Sequence, residues 1–302
     1  MRPNVINISP ETRALQKELG NMATVMDFRT AQQPILPPPI RAAVHQWLTE
    51  IRAAEELKKF NVAPRRSCLL SGPPGCGKTT LAHHLSARLG VDLICIHMDR
   101  LRSQFVGQTG QQIARVFELI APLGQNAVMF FDEFDSLGSK RKDDGQASSQ
   151  ENNTIVNALL ARMETFEGNI IAATNRASAL DPAIWRRFGM QLEIPLPGND
   201  ERFAIIKYYL DPLDWDDDSI ETLAGLTAGA APSLLRQLIE GIKRDMVLAE
   251  RMNMSGDIVS TFIRVIASVA PHPDYDPPIL WEDASIIKGL ADFPWPLQMK
   301  KE

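Results

Sequence analysis

The 302-residue chain has few cysteines, no long hydrophobic run and no excess of basic charge. Its three cysteines, Cys68, Cys76 and Cys95, share no CxxC spacing, which argues against a disulfide framework or a zinc site. No stretch approaches the roughly 18 apolar residues of a membrane span, and the first residues carry no apolar signal segment. These absences predict a cytoplasmic protein without membrane insertion.

Acidic residues outnumber basic ones, 37 against 32, and the formal net charge is −5. This balance excludes a uniformly basic coat for nucleic acid, although it does not exclude a local basic patch. The chain is 44% apolar and 23% charged, close to the globular average, so it can bury a sizeable core. At about 150 residues per domain, the length predicts about two domains.

Short apolar runs alternate with stretches of helical periodicity up to about residue 198. The runs lie near residues 68–70, 93–96, 127–131, 170–173 and 192–194. The helical segments between them lie near residues 78–89, 110–121, 150–164 and 181–187. The first four runs lack the alternation of a half-exposed strand, which favours strands buried on both faces. We therefore predict an α/β domain with a parallel five-stranded sheet flanked by helices.

Helical periodicity alone continues after residue 199, with no further strand predicted. It predicts a small all-α lid domain with helices near residues 200–210, 218–226, 232–251 and 257–268. The predicted division is an N-terminal arm and Pro-rich linker (1–39), the α/β domain (40–198), the helical lid (199–268) and a Pro-rich tail (269–302).

The strongest motif runs from Gly72 to Thr79 and matches GxxxxGK[ST]. It follows an apolar strand and opens a helix, which is the context of a phosphate-binding P-loop. In this motif Lys78 reaches the β- and γ-phosphates and the Thr79 hydroxyl ligates Mg²⁺. The predicted nucleotide contacts are Pro74, Gly75, Cys76, Gly77, Lys78, Thr79 and Thr80. A nucleoside triphosphate with Mg²⁺ is therefore the expected ligand.

A second motif places two carboxylates, Asp132 and Glu133, at the end of the apolar strand 128–131. Acids beside a buried strand are costly unless they meet a cation. Asp132 is accordingly the expected Mg²⁺ ligand, directly or through water. Glu133 is expected to polarise the water that attacks the γ-phosphorus.

These motifs and the segments that follow them resemble the AAA+ superfamily, specifically its AAA subfamily, over about residues 40–267. The residues that carry the resemblance are Gly72–Thr79, Asp132–Asp135, Ala172–Arg176 and Leu180–Phe188. The resemblance implies an ATP hydrolase in which Asn175 is sensor 1, orienting the attacking water. It implies that Ile205 packs against adenine, and that Arg186 and Arg187 are arginine fingers for a neighbouring subunit's γ-phosphate. Fingers used in trans require an oligomer, and the resemblance implies a hexameric ring.

The resemblance also extends to substrate handling. Phe105, Val106 and Gly107 resemble the loop that faces the central pore of protein-threading members. They imply that the ring remodels, unfolds or threads protein substrates. Two alternatives stay open: a nucleic-acid motor or loader that uses the basic run Lys140–Lys142, and a nucleotide-switched adaptor. The adaptor would serve a separately encoded partner enzyme such as a protease.

Overall fold

The computed structural model describes residues 10–101, 109–135, 157–273 and 275–300. The described residues fall into two compact units. The α/β unit takes those up to Pro34, Pro39–Gly72 and those within Lys78–Ile194. The helical unit takes Ile35–Pro38, Pro73–Gly77 and those from Pro195 onward.

The α/β unit is built on a six-stranded sheet. Its strands are Ala23–Met26 (β1), Ser67–Ser71 (β2), Asp92–Ile96 (β3), Ala127–Phe131 (β4), Asn169–Thr174 (β5) and Met190–Glu193 (β6). Their order is β1-β3-β4-β5-β2-β6, with β1 antiparallel to β3 and all other neighbours parallel. Every residue of β4 and β5 is buried, which agrees with the non-alternating apolar runs.

The five predicted parallel strands are confirmed, but the predicted strand count is one too low. The missed strand is β1, which has four residues and comes from the predicted N-terminal arm. Four residues are too few to display a periodic pattern, and the pairing partner, β3, lies far along the chain. Strand β1 therefore forms at the edge of the sheet because it pairs with β3, and local sequence patterns do not predict such a distant pairing.

Helices cover both faces of this sheet. They are Pro10–Leu19 (α1), Pro38–Arg52 (α2), Ala54–Lys58 (α3), Lys78–Leu89 (α4), Met98–Leu101 (α5), Thr109–Ile120 (α6), residues 157–165 (α7) and Pro182–Trp185 (α8). A series of aromatic contacts crosses the core from Phe117 through Phe131 and Phe134 to Phe188, with ring centroids 5.6–6.2 Å apart. Because Phe131 and Phe134 flank the two carboxylates of the second motif, this packing positions them.

From Pro195 onward, the helical unit has its helices in the predicted order. They are Asn199–Leu210 (α9), Asp217–Leu226 (α10), Pro232–Arg251 (α11), Ile258–Ser268 (α12), Ile279–Glu282 (α13) and Ala284–Gly289 (α14). One short antiparallel pair, Leu213–Asp214 (β7) with Gln298–Met299 (β8), was not predicted. The core also contains Leu280, Leu290 and Leu297 from the Pro-rich tail. No helix among the described residues has the length and apolar character needed to cross a membrane.

Candidate nucleotide-binding site

The P-loop connects β2 to α4 through residues 72–77. Gly72 has φ +146°, and a Cβ atom there would lie 2.1 Å from the Ile194 carbonyl oxygen. The chain after β6 is held against this point because the Ile194 amide donates to the Ser71 carbonyl at 2.7 Å. Only glycine allows this close approach, so the first residue of the motif fixes where the loop leaves the sheet.

Lys78 and Thr79 open helix α4. Lys78 is 7% exposed, and its ammonium donates to the Gly72 carbonyl at 2.8 Å. A buried ammonium needs acceptors, and this position at a helix start suits phosphate oxygens. The Thr79 hydroxyl donates to an Asp132 carboxylate oxygen at 2.8 Å. The structure therefore brings the predicted P-loop ligand and the predicted β4 ligand into direct contact.

The donor set at Thr79 and Asp132 fits Mg²⁺. Hydroxyl and carboxylate oxygens are hard ligands, and Mg²⁺ commonly takes only one or two of them, completing its shell with water and phosphate oxygens. The described residues contain no cluster of three or more His, Cys, Asp or Glu side chains able to hold a metal. The site suits a cation that arrives with a nucleotide rather than a closed structural metal site.

Glu133 occupies a restricted backbone conformation beside this pair. Its φ is +50°, which is uncommon for a residue other than glycine. Its amide donates to the Asp132 carboxylate at 2.9 Å, and the next amide, of Phe134, donates to the Ala173 carbonyl at 2.8 Å. These bonds hold the backbone on both sides of Glu133, while its side chain is exposed and open to a water molecule.

The end of β5 is joined to the same motif by a contact that was not predicted. The Thr174 hydroxyl donates to the Asp135 carboxylate at 2.9 Å and accepts from the Arg176 amide at 3.0 Å. Thr174 is 1% exposed, whereas Asn175, the next residue, is exposed. The available signal was a hydroxyl at the end of one apolar run and a carboxylate shortly after another. Thr174 and Asp135 thus set the position of the predicted sensor residue.

Arg186 and Arg187 follow helix α8 and are both exposed. The Asp181 carboxylate caps this helix by accepting from the Ala183 amide at 2.7 Å. Arg187 forms an ion pair with Glu164 of the same chain, a partner not predicted from the sequence. Exposure is compatible with a role toward a neighbouring subunit, which stays a prediction.

Three further predictions concern residues outside the contacts just described. Ile205 is 3% exposed in the core of the helical unit, so its contact with adenine stays a prediction. The predicted pore loop Phe105–Gly107 and the basic run Lys140–Lys142 lie outside the described residues.

Two cysteines belong to or lie near this site. Burial, with the charge of Asp132 as the second cause, raises the pKa of Cys95 to about 12. Cys76, in the P-loop, is buried. Because the thiolate is the reactive form of cysteine, the raised pKa lowers the reactivity of Cys95.

A P-loop whose lysine and threonine open a helix beside a strand-end carboxylate pair defines a P-loop nucleoside triphosphatase. Residues 68–196 match the family described as "ATPase family associated with various cellular activities (AAA)". The chain belongs to this ATPase family, as the resemblance in its motifs implied.

Relatives of known sequence agree with this assignment. The chain is 33% identical over 229 residues to the proteasome-activating nucleotidase of Thermococcus onnurineus, covering 71% of this chain and 57% of that protein. It is 39% identical over 171 residues to an uncharacterized AAA family ATPase of Sinorhizobium fredii, covering 55% of this chain and 51% of that protein. The chain thus spans about half the length of these curated relatives.

A solved structure supports the fold. The crystal structure of the FIGL-1 AAA domain matches with a TM-score of 0.67 and 22% sequence identity. The match covers 89% of this chain and 92% of that one. At this identity the similarity concerns the fold alone, and it confirms the predicted α/β class.

Proposed function

We propose that this chain is a Mg²⁺-dependent ATP hydrolase that assembles into a ring and remodels, unfolds or threads protein substrates. The observation that carries the proposal is the 2.8 Å contact between the Thr79 hydroxyl and the Asp132 carboxylate, with Glu133 next to it. A hydroxyl and a carboxylate that can hold Mg²⁺, beside an exposed carboxylate that can orient water, suit hydrolysis of a phosphoanhydride.

Each residue has a defined part in the reaction. The Lys78 ammonium, which donates to the Gly72 carbonyl, would donate to phosphate oxygens when a nucleotide is bound, and Thr79 and Asp132 would hold Mg²⁺. The ion would supply charge stabilisation to the phosphate oxygens. The Glu133 carboxylate accepts a hydrogen bond from the attacking water and orients it toward the γ-phosphorus.

Protein is the proposed substrate class for two reasons. Several relatives over this length are named proteasome-activating nucleotidases, a name that points to action on proteins in those relatives. Residues 105–107 include an aromatic side chain, Phe105, and an aromatic ring can contact an extended polypeptide whatever its sequence. The ring is proposed because the exposed Arg186 and Arg187 suit a role at the site of a neighbouring subunit.

The test uses Glu133→Gln, which should bind ATP and stop before hydrolysis. We expect this variant, with ATP and Mg²⁺, to protect a bound polypeptide from added protease. Lys78→Ala, which lacks the phosphate-binding ammonium, serves as the matched control and should protect nothing. Phe105→Ala in the Glu133→Gln background should lose the protected fragment while still binding ATP. Persistence of that fragment would exclude threading through the Phe105 loop.

The same variant separates the alternatives. Retention of nucleic acid, together with ATPase stimulation by DNA that weakens steeply with salt, would favour a motor or loader. Retention of a peptidase would favour an adaptor, an assignment that the name of the Thermococcus relative supports.

A further inference from the structure

His83 lies on helix α4 one turn after Thr79, and its imidazole is buried, with 6% of the residue exposed. The ring Nε2 lies 2.9 Å from the backbone carbonyl oxygen of Asp27. Because a carbonyl oxygen can only accept, Nε2 carries the proton and donates it. This bond anchors the helix that begins with Lys78 and Thr79 to a segment near the start of the chain.

The Asp27 carbonyl belongs to a turn that is itself held in place. The buried Asp27 carboxylate accepts from the Arg29 amide and from the Arg29 Nε, each at 2.9 Å. The carbonyl oxygen that meets His83 also accepts from the Thr30 amide at 3.0 Å. The Phe28 amide donates to the Asp92 carboxylate, at the start of β3, at 3.2 Å. The acceptor of the imidazole bond is therefore part of a network that restricts its movement.

The other end of this segment is bonded to β3 and to the residue that follows it. Strand β1 pairs antiparallel with β3, and Thr24 lies opposite Cys95. Beyond the strand, the His97 amide donates to the Met22 carbonyl at 2.9 Å, and the Thr24 hydroxyl forms a 2.7 Å hydrogen bond with His97 Nε2. Along the chain, His97 leads into helix α5 and then toward Phe105.

We propose that residues 22–30, the N-terminal strap, couple the P-loop helix to the chain that leaves β3, with His83 as a positioning residue for ATP hydrolysis. The inference rests on the proposed function, because it takes the Phe105 segment as the part that meets protein. A shift of α4 on nucleotide binding is transmitted by His83 to Asp27, and by the strap to His97. The path consists of hydrogen bonds at both ends of the strap joined by the backbone of the strap, and all of it lies within one unit.

A set of histidine variants tests the positioning role. His83→Ala removes the bond, His83→Gln keeps an N–H donor near the Nε2 position, and His84→Ala alters the neighbouring histidine on the same helix. We expect kcat per nucleotide-binding site to fall about tenfold in His83→Ala, to recover in His83→Gln and to stay unchanged in His84→Ala. Counting sites with a fluorescent ADP analogue removes the contribution of unfolded chains. Wild-type kcat per site in His83→Ala would overturn the role.

Hydrogen exchange of residues 93–101 tests the coupling. We expect AMP-PNP with Mg²⁺ to change exchange there in the wild-type chain, including the His97 amide that bonds to Met22. His83→Ala should abolish this difference, and Thr24→Val, which removes only the hydroxyl, should reduce it by at least about half. Thr49→Val, on helix α2, is the matched control. An undiminished difference in His83→Ala would overturn the coupling.

The two proposals fail in different ways. If the wild-type chain hydrolyses ATP but shows no nucleotide-dependent change in hydrogen exchange at residues 93–101, the coupling role of the strap is wrong. The proposed ATP hydrolysis is not affected by that result. A chain that binds AMP-PNP with the exchange change but never releases phosphate from ATP overturns the proposed function.

Discussion

The Thr174 hydroxyl donates a 2.9 Å hydrogen bond to Asp135, so side chains join the end of β5 to the carboxylate motif after β4. These strands are parallel neighbours, with Phe131 paired to Ala172, and their ends meet at one edge of the sheet. The Arg176 amide donates to the same hydroxyl at 3.0 Å. Asn175, the predicted orienting residue, is exposed, and both of its neighbours in the chain are held by these bonds.

Replacing Thr174 with valine should impair hydrolysis more than binding. Valine keeps the branched shape but removes the bond to Asp135, and a hydrogen bond to a charged group is worth about 1.5–3 kcal/mol. We expect kcat to fall by about tenfold and KM for ATP to change less than about twofold, measured by phosphate release. Thr165→Val, in which an exposed hydroxyl bonds only its own helix, should behave as wild type. Unchanged kcat in Thr174→Val would contradict this role.

Gly72→Ala should disrupt the P-loop far more than an equivalent change elsewhere. The added Cβ would lie 2.1 Å from the Ile194 carbonyl oxygen, so backbone must move. We expect a loss of at least about 3 kcal/mol in the free energy of unfolding in urea and loss of fluorescent ATP binding.

Gly90→Ala provides the control for that substitution. Gly90 has φ +76°, and a Cβ atom there would meet nothing within 4 Å. The Gly90→Ala substitution should lower the free energy of unfolding only by the strain of a left-handed conformation, about 1–2 kcal/mol. Nucleotide binding should be retained. If Gly72→Ala and Gly90→Ala lower the free energy of unfolding equally, the backbone conformation of Gly72, and not its close approach to Ile194, makes glycine necessary there.

Local signals predicted much of this fold. Helix α11 begins and ends where it was predicted, at 232 and 251, because Pro232 suits a first turn and apolar spacing continues through the helix. Strand β4 was predicted from an unbroken apolar run, and all its residues are buried. The P-loop lysine and threonine were predicted from a motif with a direct physical function.

Features that depend on distant partners could not be predicted. Strand β1 exists because it pairs with β3, and its four residues carry no pattern of their own. Leu280 and Leu290 of the Pro-rich tail join a core to which residues 205–269 contribute most of the buried side chains. The bond between Thr174 and Asp135 depends on the order of strands in the sheet, which the motifs alone do not specify.

The helical unit should lose stability in acid through one ion pair. Arg264 donates to both carboxylate oxygens of Asp245, at 2.7 and 2.5 Å, and holds the pKa of Asp245 below its ordinary range. A lowered folded-state pKa contributes stability above the unfolded pKa and loses it as pH falls. We expect Asp245→Asn to cost about 2 kcal/mol in urea unfolding at pH 7, with the difference shrinking below about pH 4.

The control for this acid dependence is Asp217→Asn. Asp217 pairs with Lys207, and both side chains are substantially exposed, so this change should cost less than about 0.5 kcal/mol. If the free energies of unfolding of wild type and Asp245→Asn differ by a constant amount below about pH 4, the carboxylate of Asp245 is not the source of the acid dependence.

If Arg186 is an arginine finger that acts in trans, mixing two inactive variants should restore ATPase activity. Arg186→Ala keeps its own P-loop but lacks the finger, whereas Lys78→Ala keeps Arg186 but lacks a working P-loop. Each alone should hydrolyse ATP about 10³-fold more slowly than wild type.

If Arg186 acts in trans, random equimolar mixing places an intact P-loop beside an intact finger at about a quarter of the sites. This mixture should therefore have about a quarter of the wild-type activity. Phosphate release measured across mixing ratios should peak at equal amounts. If phosphate release does not recover at any ratio, Arg186 does not act at the site of a neighbouring subunit. The main argument for a ring would then fail.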